Sequence, residues 1–158
     1  MSKREVAYEF DPFDIAGVDP DTLTASQRKA VLDEVTDFIL ESVLLDVAES
    51  RSPVTGRAFK GLNKDYRAIK EDEGGTPVPN LELTGDLMDS LEVVKGKRGK
   101  LVLTVSDDQQ GKADGHNNHS GDSKLPRRPF IPDAARGETF RPKIREGIEA
   151  IIEDLLES

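Results

Sequence analysis

Residues 26–50 read SQRKAVLDEVTDFILESVLLDVAES, and the spacing of their apolar side chains decides the fold class. Val31, Leu32, Val35, Phe38, Ile39, Val43 and Val47, with Ser42 among them, recur at the i, i+3, i+4, i+7 interval that places residues on one face of an α-helix. Asp33, Glu34, Asp37, Glu41 and Asp46 fall mostly on the other faces. Thr24 or Ser26 is suited to cap this helix, because a hydroxyl there accepts a bond from an amide that the first turn leaves orphaned. Pro53 prevents the helix from continuing. Leu40, Leu44 and Leu45 spread apolar surface beyond one stripe, so a helix of this kind needs cover on more than one side.

A second amphipathic helix is predicted from Thr139 to Glu157, with Phe140, Ile144, Ile148, Ile151, Ile152, Leu155 and Leu156 on one face. Thr139 is its expected N-cap, and Pro142 lies in the first turn, where a missing amide costs nothing. Between the two helices, Thr84 is expected to start a short helical turn running to about Ser90. Leu91–Val94 and Lys100–Ser106 then read as a β-hairpin about a turn at 95–99. Leu101, Leu103 and Val105 alternate there against Val102 and Thr104. A short helix over Asn63–Glu71 and a further strand or edge over Pro126–Pro132 complete the elements. Residues 1–22, with Asp11-Pro12 and Asp19-Pro20 among scattered aromatics, show no period and read as an extended arm. The fold class is therefore α+β. A long N-terminal amphipathic helix and a C-terminal helix pack on a small antiparallel sheet, in one domain over residues 23–158 with loops at about 51–80 and 107–125.

Composition fits that outline. The chain has 158 residues, 35% of them hydrophobic and 34% charged. Leu, Ile, Val and Phe make up about 26%, above the roughly 20% below which disorder is the default. The formal charge of -9 repels phosphate and anionic lipid unless positive charge is segregated, so nucleic acid and membranes are not the expected partners. There is no cysteine, which removes disulfides, thiolate metal sites and a Cys nucleophile. No apolar run reaches the roughly 18 residues of a membrane span, and the N-terminus lacks a signal-like apolar core, so a soluble product made in a cytoplasm is expected.

Chemistry-bearing motifs are few. His116 and His119, with Asp114 and Asp122 nearby, have the residue types of a zinc site. They lie in a Gly-rich stretch without a rigid element beneath them, so a polar loop is the simpler reading, and a metal-dependent hydrolase or nuclease the alternative. There is no GxSxG elbow and no phosphate-binding GxxxxGK[ST]. Nothing in the sequence calls for a catalytic residue or a cofactor. Residues 51–70 carry Arg51, Arg57, Lys60, Lys64, Arg67 and Lys70 against Asp65 alone, a basic segment inside an acidic chain. It reads as a solvated loop or, alternatively, as a contact for an acidic neighbour or a phosphate backbone. Arg57, Lys60, Lys64 and Arg67 are its candidate partner-contact or lumen residues.

Several short stretches carry a family likeness by their order and spacing. They are Ser52-Pro53-Val54-Thr55-Gly56, Lys60-Gly61-Leu62, Tyr66, Lys70, Pro79-Asn80-Leu81, Leu83-Thr84-Gly85-Asp86-Leu87 and Ser90-Leu91. His116-Asn117, Gly121 and Pro126-Arg127-Arg128-Pro129-Phe130-Ile131-Pro132 follow them. Over residues 40–157 the chain resembles the phage virion morphogenesis and tail-completion family. That resemblance implies a small α+β protein without catalytic residues. It would form a ring, commonly of six copies, at the head-tail junction or tail end of the virion, beside neck, connector and tail-tube proteins, with DNA passing through the lumen. The polar stretch around His116 is longer than the family pattern, and the N-terminal 22 residues fall outside it. In such a ring, strand Leu101–Val105 or the Pro126–Ile131 edge is expected to add to a neighbour's sheet, with Phe130 as a buried anchor. Leu101, Leu103, Phe130 and Ile131 are then interface candidates. Arg127 and Arg128 are candidates for pairing with the acidic helix 26–50 across the interface.

Overall fold

The computed structural model describes residues 6–49, 51–57, 88–110 and 129–157. Three strands, β1 (Ala7–Phe10), β2 (Glu92–Lys95) and β3 (Leu101–Thr104), form an antiparallel sheet in the order β1-β3-β2. Helices α1 (Pro12–Ala16), α2 (Ala25–Ala48) and α3 (Pro142–Glu157) pack with it, giving the α+β arrangement read from the sequence.

α2 begins with a capping box: the Thr24 hydroxyl accepts from the Gln27 amide at 3.1 Å, and the Gln27 side chain accepts from the Thr24 amide at 2.9 Å. Its buried face is Val31, Val35, Ile39, Val43 and Val47, the stripe its period predicts. α3 buries Ile144, Ile148 and Ile152 against it, and Gly147 lets Phe38 of α2 lie directly on the α3 backbone. α3 starts at Pro142 instead of Thr139, because proline is pre-set for the first helical position and keeps the residue before it out of helical geometry.

The sheet turns one face to the helices. Tyr8 faces Leu103 and Phe10 faces Leu101 across the β1–β3 ladder, so these four side chains share the core face. Phe140 closes edge-to-face on both Tyr8 and Phe10, with ring centroids 5.3 and 5.2 Å away.

Three expectations are corrected by this architecture. Residues 7–22 are not an extended arm. Val6, Tyr8, Phe10 and Phe13 are buried, Asp11 caps α1, and Pro20–Thr22 form a 3-10 turn under an Asp19 cap. Distant side chains hold the segment: the Val6 amide donates to Gln110 Oε1 at 2.6 Å, and Thr104 Oγ1 donates to the Val6 carbonyl at 2.8 Å. Strand Leu101–Val105 has no edge to offer, because β3 is the central strand with β1 on one side and β2 on the other. The described part of the 126–132 segment is irregular, and Phe130 and Ile131 lie in the core of the same chain, where no neighbour can reach them.

Candidate functional site

Two features stand out around the core. The first is a junction at the end of α2. Both oxygens of the Asp46 carboxylate accept from Arg141, Oδ2 from Nε at 2.8 Å and Oδ1 from Nη2 at 2.9 Å. The Asp46 side chain is only 3% exposed and that of Arg141 16%, so this fork-to-fork pair is largely withdrawn from water. The Arg141 amide also donates to the Pro53 carbonyl at 2.8 Å. Ser52 organises the turn that follows: its hydroxyl accepts from the Val54 and Thr55 amides at 3.1 Å each and donates to the Pro129 carbonyl at 2.6 Å. Gly56 closes the turn at φ +76°, a conformation that glycine adopts without a steric penalty. The carboxylate is saturated by its guanidinium, so the junction is a clasp that joins α2, the Ser52–Gly56 turn, the Pro129–Ile131 segment and α3.

The second feature is an open cleft of about 660 Å³ along β1. Tyr8, Glu9 and Phe10 all line it. Successive strand residues point to opposite faces, so a cleft touched by three in a row reaches the edge of the strand, and β3 already occupies the other edge. Tyr8, Phe10 and Phe140 supply an aromatic floor. The rim is mostly acidic: Glu9, Asp14, Glu146 and Glu149 stand there, together with Lys100 and Arg145. Glu9 pairs with Lys100 at 3.7 Å, an exposed contact that contributes little to stability. The phenol of Tyr8 is held above its ordinary pKa by burial, an effect that the nearby Arg145 charge partly offsets. Arg145 lines the cleft from α3, which puts the Tyr8 hydroxyl on the cleft side of the ring.

The sequence-derived candidates distribute unevenly over this structure. Leu101 and Leu103 are interior residues of β3, and Phe130 and Ile131 are fully buried beside the clasp. Arg57 is exposed at the end of the Ser52–Gly56 turn. Lys60, Lys64, Arg67, Arg127, Arg128, His116 and His119 lie outside the described residues, as does the helix expected over 63–71. Among the described residues no group of three or more His, Asp or Glu is arranged to hold a metal ion, and no helix is long and apolar enough to cross a membrane. The cleft was missed in the sequence because its walls come from β1, α1 and α3. Its one local signal was Arg145, Glu146 and Glu149 beside the Ile144, Ile148, Ile152 stripe.

The fold and these two features define a small α+β domain in which β1 and β2 have no partner on their outer edges among the described residues. Comparison with known proteins adds no relative: no family model, no curated protein and no solved structure matches the chain.

Proposed function

We propose that this chain is a structural protein of a phage virion, working at the head-tail junction as a neck, tail-completion or tail-terminator subunit. Copies assemble into a ring, a hexamer in the simplest case, that joins or caps the tail and lets DNA pass. Its partners are other copies and the neighbouring connector and tail-tube proteins, in the host cytoplasm during assembly and in the virion afterwards. The reading assigns no catalytic role.

The observation that carries the proposal is the hydrogen bond from Ser52 to the Pro129 carbonyl. The Ser52–Gly56 and Pro126–Pro132 stretches are two parts of the resemblance, and a bond between residues 77 positions apart joins the first to the described part of the second at Pro129. The outer edges of β1 and β2, unpaired among the described residues, add support, since such an edge is a standing template for association. Head-to-tail association through two different surfaces closes into a ring when the rotation between subunits allows it.

Light scattering on a size-exclusion column tests this, with negative-stain imaging of the same fractions. A ring-sized species is expected, either alone or on mixing with a phage tail-tube or connector protein. A monomer at every concentration, unchanged by those partners, would overturn it.

A further inference from the structure

We infer that the cleft along the β1 edge is the socket for the basic segment 57–70 of a second copy of this chain. The inference rests on the ring reading for the identity of its occupant. The cleft itself has what an extended, positively charged peptide needs. The outer edge of β1, which has no partner among the described residues, offers backbone groups to an added strand. The Glu146 and Glu149 carboxylates are exposed on the α3 wall, and Asp14 adds a third opposite them. Phe10 and Phe140 pack edge-to-face at the floor and are almost wholly buried, so the carboxylates of the rim are what the cleft presents to a lysine or arginine.

Charge complementarity selects the occupant. Residues 57–70, RAFKGLNKDYRAIK, hold Arg57, Lys60, Lys64, Arg67 and Lys70 against Asp65. Its first residues, 57–62, precede the helix expected over Asn63–Glu71 and are enough to pair with the four residues of β1. Such a contact is heterologous, socket on one copy and plug on the next, which is the kind that propagates around a ring.

Two charge-reversed chains test the inference. One carries Glu146→Lys and Glu149→Lys in the socket, the other Lys60→Glu, Lys64→Glu and Arg67→Glu in the plug. Circular dichroism first verifies that both fold. Each alone should fail to assemble, since like charges then face each other. Their equimolar mixture should assemble with the two chains alternating, because the wild-type plug of the first matches the wild-type socket of the second and the reversed plug of the second matches the reversed socket of the first. All five changes in one chain should restore the wild-type assembly. A mixture that stays monomeric, or a socket variant that assembles as wild type does, overturns the inference and leaves the ring reading intact.

A synthetic peptide of residues 57–70 separates the other case. It should bind the wild-type protein with an affinity that falls at least about tenfold in the socket variant and also falls on adding salt. If wild type is monomeric under every condition, the ring reading fails, and the peptide titration still decides the socket: equal binding to wild type and to the socket variant, or none to either, refutes it.

Discussion

Breaking the clasp between Asp46 and Arg141 should cost more stability than any exposed ion pair in the molecule. Removing one partner of a buried pair leaves the other charge uncompensated, a loss of about 3–5 kcal/mol. The two sides are not equivalent. Arg141→Met strands a carboxylate whose side chain is 3% exposed, whereas Asp46→Ala strands a guanidinium that is 16% exposed and partly reached by water. The expected losses are therefore about 4 kcal/mol for Arg141→Met and about 3 kcal/mol for Asp46→Ala, each lowering Tm by on the order of 10 °C. The double variant removes both charges together, so it should lose less than the sum by about 2 kcal/mol. Urea unfolding followed by far-ultraviolet circular dichroism measures all four corners of the cycle. Additivity within about 0.5 kcal/mol would refute the claim that the pair acts as a unit. It would reduce the clasp to two independent packing contacts.

Other perturbations follow from single contacts. Gly147→Ala should destabilise by about 1–3 kcal/mol although alanine is the better helix former, because its Cβ would enter the ring of Phe38; in a Phe38→Ala background the same change should stabilise instead. Phe130→Ala should cost about 3–5 kcal/mol in thermal or urea unfolding, and Phe130→Asp should yield unfolded protein, not a folded monomer; a folded Phe130→Asp chain would put the ring back on the surface. Tyr8, whose pKa is raised above the ordinary 10.0, supports the fold below that pH and withdraws its contribution as pH rises through the folded-state value, since the unfolded chain ionises first. Tyrosinate absorbance during alkaline titration should therefore show one late-ionising tyrosine that Tyr8→Phe removes, and an unshifted titration would contradict the burial.

The helices were legible because their information is local. α2 carries its own period, its own capping box and a proline beyond its end, and each acts within a few residues. β1 was not legible for the opposite reason. Val6, Tyr8 and Phe10 do alternate with Ala7 and Glu9, but the run is short and ends at the Asp11-Pro12 helix start, so it resembles scattered aromatics. What makes it a strand is the ladder to Leu101–Thr104 and the Gln110 and Thr104 bonds to Val6, all from the far half of the chain. The same distance hid the site. Phe130 among arginines and prolines looks like an exposed anchor until the Ser52 bond to Pro129 draws its neighbourhood inward. Leu101 and Leu103 were read correctly as strand residues. Their position in the middle of the sheet depends on a third strand that the local pattern did not announce.

That third strand also changes what the surface charge means. With β1 bound to β3, Glu9, Asp11 and Asp14 join Glu146 and Glu149 of α3 around one cleft, so part of the net -9 is concentrated at a strand edge. A chain that needed only solubility would gain most from charge spread evenly, because clustered like charge strains the fold that carries it. Clustering is tolerable where an opposite charge arrives, and the segment from Arg57 onward is basic. The apolar side of the molecule is organised differently. Leu44 and Leu45 remain 41% and 59% exposed on the part of α2 that its own core does not cover. Salt weakens attraction across the cleft and leaves apolar contact at those leucines in place. The two surfaces therefore respond in opposite ways to ionic strength. An assembly that dissolves as salt rises is held at the β1 cleft, whereas one that tightens is held along α2.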